Sequence, residues 1–138
     1  MIYTIGTVVK FETAHRQLGD DSKCGFLHGH NWKAEIEISS ANLNSIGYVI
    51  DFKEIKDAIN AAFDHKTLLH FADPLVGTLK TKKQKVQVML SGNPTCELLA
   101  EAILDLIIGL MPDGAIDVES IRVKLYENDS SYAEVNYS

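Results

Sequence analysis

The chain has 138 residues, 46% of them hydrophobic and 23% charged, which suits one globular domain spanning 1–138 better than two. A formal net charge of −6 excludes a general nucleic-acid backbone binder, because that work needs a clustered excess of lysine and arginine. Cys24 and Cys96 are too few for the disulfide framework of a small secreted domain, so a reducing cytoplasm is expected. The first residues show no basic start leading into an apolar run, so no secretion signal is expected. The most apolar stretch, 98–111, is broken by Glu101 and Asp105 and falls short of the ~20 residues a membrane span needs.

Ile5, Thr7, Val9, Phe11, Thr13 and His15 alternate with the period of a strand that buries one face. A second strand, 28–39, puts His28, His30, Trp32, Ala34, Ile36 and Ile38 on one side. Gly47 and the polar residues 42–45 mark a turn before the apolar Tyr48-Val49-Ile50. Asp51 and Glu54 resemble a capping box, and Phe52, Ile55, Ile59, Ala62 and Phe63 then recur at helical spacing, predicting a helix that ends near Asp64. After Lys80, Lys82, Lys83 and Lys85, the alternating Val86, Val88 and Leu90 suggest an edge strand with a basic approach. Pro94-Thr95 opens a second helix through Leu99, Ile103, Leu106, Ile107 and Leu110, with Pro112 and Gly114 beyond its end. Ile121, Val123, Leu125 and Glu127 share a strand face. A turn at 128–131 leads to a last strand, 132–137. The expected order is two strands, two helices, two strands.

His28-Gly29-His30 puts two imidazoles on the same side of one strand, with Gly29 leaving room for close backbone approach. His15 supplies a third imidazole from the neighbouring strand end. Three neutral imidazoles suit zinc, and three protein ligands with a vacant fourth position describe a catalytic site. Cys24 lies four residues before His28, and a thiol beside a cation ionises more readily. As a fourth ligand it closes the site instead. Asp64 beside His65 is suited to orient the ring and favour its protonated form, or else forms a helix-end charge pair. Glu127 points inward at a strand end, where an unpaired carboxylate is costly and a partner with amino and imino donors removes the cost. Cys96 and His70 read as structural.

These pieces together resemble the 6-pyruvoyltetrahydropterin synthases and the related 6-carboxytetrahydropterin synthases of queuosine biosynthesis. The matching residues are Phe11-Glu12-Thr13-Ala14-His15, the segment from Cys24 to His30, Gly47 to Phe52, Asp64-His65, Pro94-Thr95-Cys96-Glu97 and the strand ending at Glu127. The resemblance implies an α+β tunnelling fold with a four-stranded antiparallel sheet, two helices on one face and ββααββ order. It implies subunits joined as trimers that stack into a hexamer. It also implies zinc on His15, His28 and His30, a catalytic group of Cys24, Asp64 and His65 assembled across a subunit interface, and Glu127 gripping the pterin with help from Thr95 and Glu97. The family's substrate, 7,8-dihydroneopterin triphosphate, carries vicinal hydroxyls and a triphosphate leaving group. Arg16, Lys23 and the Lys80 to Lys85 run are candidates to hold its phosphates.

The resemblance favours the 6-carboxy product over the 6-pyruvoyl one because the chain is compact and the Cys24 to His30 spacing is close. Lys66-Thr67-Leu68-Leu69-His70, the long stretch before Pro94, Leu98 after Glu97 and Asn128 after Glu127 depart from the usual family pattern. Alternatives are a 6-pyruvoyltetrahydropterin synthase, retro-aldol cleavage of dihydroneopterin, and a non-catalytic zinc or pterin binder whose metal is closed by Cys24.

Overall fold

The computed structural model describes residues 1–112 and 117–138. Strands β1 (Tyr3–His15) and β2 (His28–Ser40) pair antiparallel in one unbroken register, from Tyr3 opposite Ser40 to His15 opposite His28. Antiparallel pairing then continues from β2 to β5 (Val118–Asn128) and from β5 to β6 (Ser131–Tyr137). On the other side of β1 lie β3 (Lys66–His70) and β4 (Val86–Met89), each parallel to its neighbour. The sheet therefore has six strands in the order β4-β3-β1-β2-β5-β6, where four antiparallel strands were expected.

The residues that alternate in sequence make the core. Phe11 faces Trp32, and Ile38, Ile36 and Ala34 face Ile121, Val123 and Leu125, all buried. Helix α1 (Phe52–Phe63) lays Ile55, Ile59 and Phe63 on this face, and α3 (Cys96–Leu110) adds Leu99, Ile103 and Ile107. Asp51 caps α1 by accepting from the Lys53 N–H at 2.9 Å, and not in the expected reciprocal pairing with Glu54. The Thr95 hydroxyl caps α3 by accepting from the Leu98 N–H at 3.1 Å. Pro112 follows α3 as predicted, while Gly114 lies outside the described residues.

A third helix, α2 (Leu75–Thr81), links β3 to β4, so the ββααββ order is incomplete. Parallel strands cannot be joined by a tight hairpin and need a crossover, which α2 supplies. β3 begins straight after α1, where the His65 N–H donates to the Glu12 carbonyl at 2.7 Å. The Thr13 hydroxyl donates to the Phe63 carbonyl at 2.7 Å, tying the end of α1 to β1. These bonds fix Asp64 and His65 against the strand that carries His15. Among the described residues no helix is long and apolar enough to cross a membrane.

Candidate active site

His15, at the end of β1, and His28 and His30, at the start of β2, converge as the strand period requires. Their ring centroids lie 4.6, 5.2 and 4.9 Å apart, with His15 also edge-on to the buried Trp32 at 5.1 Å. His15 Nδ1 donates to the Pro94 carbonyl at 2.7 Å, and His28 Nδ1 donates to the Phe26 carbonyl at 2.6 Å. A carbonyl only accepts, so the neutral form of either ring carries its proton on Nδ1 and leaves Nε2 bare. The Nε2 atoms of His15 and His30 are buried without a hydrogen-bond partner. Burial lowers both rings from the ordinary histidine value, keeping them neutral.

Glu127 closes this group from the end of β5. Its Oε1 lies 3.4 Å from His15 Nε2 and 3.5 Å from His30 Nε2. A carboxylate facing the Nε2 lone pair of His15 is repulsive unless a cation stands between them. Ligands about 2.0–2.1 Å from a zinc in a tetrahedron stand roughly 3.4 Å apart. One donor atom from each of His15, His28, His30 and Glu127 lies within 4.8 Å of the others, and the set fits a metal ion. Cys24 is not among the four.

Cys24 sits on a 3₁₀ turn, Lys23–Gly25, with its thiol residue exposed. The Ser22 hydroxyl accepts from the Cys24 N–H at 3.3 Å, and the Gln17 N–H donates to the Cys24 carbonyl at 2.9 Å, so the loop is folded back on the end of β1. A Cβ on Gly25 overlaps the Asp20 carbonyl oxygen, which makes glycine obligatory beside the cysteine. At Gly29 a Cβ meets only the Thr13 carbonyl, at 3.9 Å, so the close approach expected there is not what that position requires.

Asp64 and His65 do touch. His65 Nδ1 donates to Asp64 Oδ2 at 2.9 Å, while Asp64 Oδ1 accepts from the Glu12 N–H at 2.9 Å. That backbone bond, then the imidazole, hold the Asp64 carboxyl below its usual range, and Asp64 in turn raises His65. His65 Nε2 reaches the Glu12 carboxylate at 3.7 Å. Glu12 and His15 have opposite parity on β1, so the acid–imidazole pair lies against the other face of the sheet from the chain's own histidine cluster.

Compared with known proteins, the chain matches 6-pyruvoyl tetrahydropterin synthase over residues 4–138. The chain belongs to that family. Among curated relatives, the 6-carboxy-5,6,7,8-tetrahydropterin synthase of Rickettsia typhi is 37% identical over 134 residues, covering 92% of this chain and 95% of that protein. The protein of the same name from Rickettsia felis is 35% identical over 133 residues, with the same coverage. A Plasmodium vivax 6-pyruvoyltetrahydropterin synthase, solved as a catalytic-residue mutant, aligns with a TM-score of 0.76 over 100% of this chain and 99% of that one. At 20% identity that likeness speaks for the fold alone.

The remaining positions of this synthase-family chain divide by what they touch. The Thr95 hydroxyl is engaged as the α3 cap and half-buried, and Glu97 is exposed on the first turn of the same helix. Cys96 is packed, its thiol donating to the Leu125 carbonyl at 3.2 Å, and burial pushes it up to about 11. Arg16 is not free for phosphate. Its Nε donates to Asp73 Oδ2 at 2.7 Å and its Nη2 to Oδ1, and the Asp73 side chain is fully buried. Sequence reasoning missed Glu12 and Gly25 in the site. It also missed that Glu127 stands with the histidines, although Leu125 opposite Ala34 puts Glu127 over the end of β2 that carries His30.

Proposed function

We propose that the chain is a zinc-dependent lyase that converts 7,8-dihydroneopterin triphosphate and water into 6-carboxy-5,6,7,8-tetrahydropterin, acetaldehyde and triphosphate, a step toward 7-deazapurines such as the queuosine precursor. The observation that carries the chemistry is the convergence of His15, His28 and His30 beside Glu127, with the buried Nε2 atoms of His15 and His30 left without a hydrogen-bond partner. The choice of product rests on the rickettsial relatives named 6-carboxy-5,6,7,8-tetrahydropterin synthase, which are 35–37% identical over nearly the whole chain. The alternative, a 6-pyruvoyltetrahydropterin synthase, rests on the family match over residues 4–138, which carries that name.

His15, His28 and His30 hold the metal, which when bound supplies Lewis acidity toward the hydroxyl oxygens of the substrate side chain. Exposed Cys24 moves protons at the side-chain carbons. Asp64 holds His65 in position and biases it toward imidazolium, a form able to return a proton. Glu127 accepts from the ring amine and ring N–H of the pterin. Thr95 and Glu97 border that pocket from the start of α3.

The active site is completed between subunits of a hexamer, with Cys24 and the histidines of one chain meeting Asp64 and His65 of another. Two features support this reading. Within one chain the Asp64–His65 pair lies against the opposite sheet face from the histidines, and beside Cys24 the apolar Phe26 and Leu27 are 72% and 46% exposed. Mass spectrometry of the product, run with an aldehyde assay, tests the reaction. 6-Carboxytetrahydropterin with acetaldehyde is expected, and 6-pyruvoyltetrahydropterin without acetaldehyde overturns the assignment.

A further inference from the structure

On the sheet face that bears Glu12, an open cavity of about 820 Å³ runs from β2 across β1 and β3 to the turn before β4. Its basic residues are Lys66, Lys83 and Lys85, gathered beside His65 in a chain whose net charge is −6. Glu12 is the acidic residue of the lining, and its carboxylate already faces His65 at 3.7 Å. Lys66 Nζ spends one N–H on the Ala61 carbonyl at 2.7 Å and keeps two. Lys85 is held by its backbone, whose carbonyl accepts from the Thr67 N–H at 3.0 Å. Its charge is near enough to His65 to oppose protonation of that ring.

The backbone singles out the same place. Among the described residues, His65 and Lys83 are the non-glycine residues with positive φ, 56° and 59°, and both line this cavity. Side chains held in that uncommon conformation concentrate at functional sites. The Lys83 N–H donates to the Lys80 carbonyl and the Gln84 N–H to the Leu79 carbonyl, both at 2.9 Å, so the turn carrying the lysines is closed onto α2.

We propose that this groove is a polyphosphate subsite, in which Lys83 and Lys85, with Lys66, hold the triphosphate chain of the substrate. The proposal rests on the lyase reading above and deepens it. Ammonium groups bind phosphate as compact point charges, and a concave wall of three suits a short polyanion better than an extended strand or a lipid surface. His65 and the lysines come from one chain, so wherever His65 works in the assembled enzyme, the phosphates are gripped beside it. β3, α2 and β4 thereby acquire a purpose: they carry the grip.

Calorimetric titration of the zinc-loaded enzyme with inorganic triphosphate tests this. Lys83→Asn with Lys85→Gln removes both charges while keeping a residue that tolerates positive φ. Lys53→Gln with Lys56→Gln, on the exposed face of α1, removes the same charge elsewhere. The groove pair should lose roughly tenfold or more in triphosphate affinity and raise KM for the triphosphorylated substrate by a similar factor, with little change in kcat. Binding of unphosphorylated dihydroneopterin should stay as in the parent. Equal losses in both pairs, no loss in the groove pair, or no triphosphate binding by the parent enzyme each overturn the subsite. A parent enzyme that binds triphosphate through these lysines but turns over no dihydroneopterin triphosphate leaves the subsite standing and removes the lyase reading.

Discussion

Replacing Arg16 with alanine should destabilise the fold without touching substrate affinity. The Asp73 side chain is fully buried and Arg16 grips it with two hydrogen bonds, one of 2.7 Å. Removing one partner of a buried ion pair costs about 3–5 kcal/mol, because the other charge is left without compensation. The Leu75 N–H still donates to Asp73 at 2.8 Å and Arg16 is 26% exposed, so the lower end, about 3 kcal/mol, is expected. In urea this moves the unfolding midpoint down by about 1–2 M. The sign of the pH dependence follows from Asp73, which Arg16 holds below the ordinary carboxyl value. The stabilisation is present above the unfolded carboxyl value, about 4, and is lost as pH falls through the depressed folded value. The gap between parent and variant should therefore narrow in acid, and Arg16→Leu with Asp73→Leu should recover most of the loss. A variant that unfolds with the parent while KM for the triphosphorylated substrate rises tenfold would refute this account and return Arg16 to the phosphates.

Metal analysis of the purified protein should find roughly one zinc per chain, lost with the fold intact when His28 and His30 are both changed to alanine. Cys24→Ala should keep zinc and pterin binding and lose roughly 10²- to 10⁴-fold in turnover. Mixing it with His65→Ala under conditions of subunit exchange should restore part of the activity, and no recovery despite exchange means the site lies within one chain. Glu127→Gln should weaken pterin binding roughly tenfold or more, read by fluorescence titration, since half of a charged contact is gone. In Asp64→Asn, an NMR titration should show His65 shifted down from its raised value. The contribution of His65 to stability, present below the unfolded histidine value and lost as pH rises through the raised one, should flatten as well.

The long strands were legible because one wall of each is water and the other is core. Val9, Phe11 and Thr13 alternate with exposed Lys10 and Glu12, and that alternation also aimed His15, His28 and His30 at one point. β3 was not legible. Leu68 and Leu69 are adjacent and both buried, as happens when a strand is covered on both faces, and such a strand carries no period-two signature. Helix α2 has seven residues, too short for periodicity to speak, whereas β4 is the edge strand that the alternation of Val86 and Val88 suggested. Missing β3 hid the groove, since Lys66, Lys83 and Lys85 meet only once β4 has β3 to lie beside. The Arg16–Asp73 pair spans 57 positions and left no local trace. In sequence, Arg16 was a candidate to hold phosphate.

His15 and His28 have their tautomers selected by the carbonyls of Pro94 and Phe26. A carbonyl belongs to the main chain, and every amino acid brings one. Mutational drift at positions 26 and 94 can therefore change the side chain while the donor geometry stays, provided the path of the backbone is kept. The vulnerable part of the arrangement is the path itself. Insertions and deletions between Cys24 and His28, or just ahead of α3, should be far more damaging than substitutions there. Related chains can thus diverge widely in the residues flanking this centre while the length of those two segments is held.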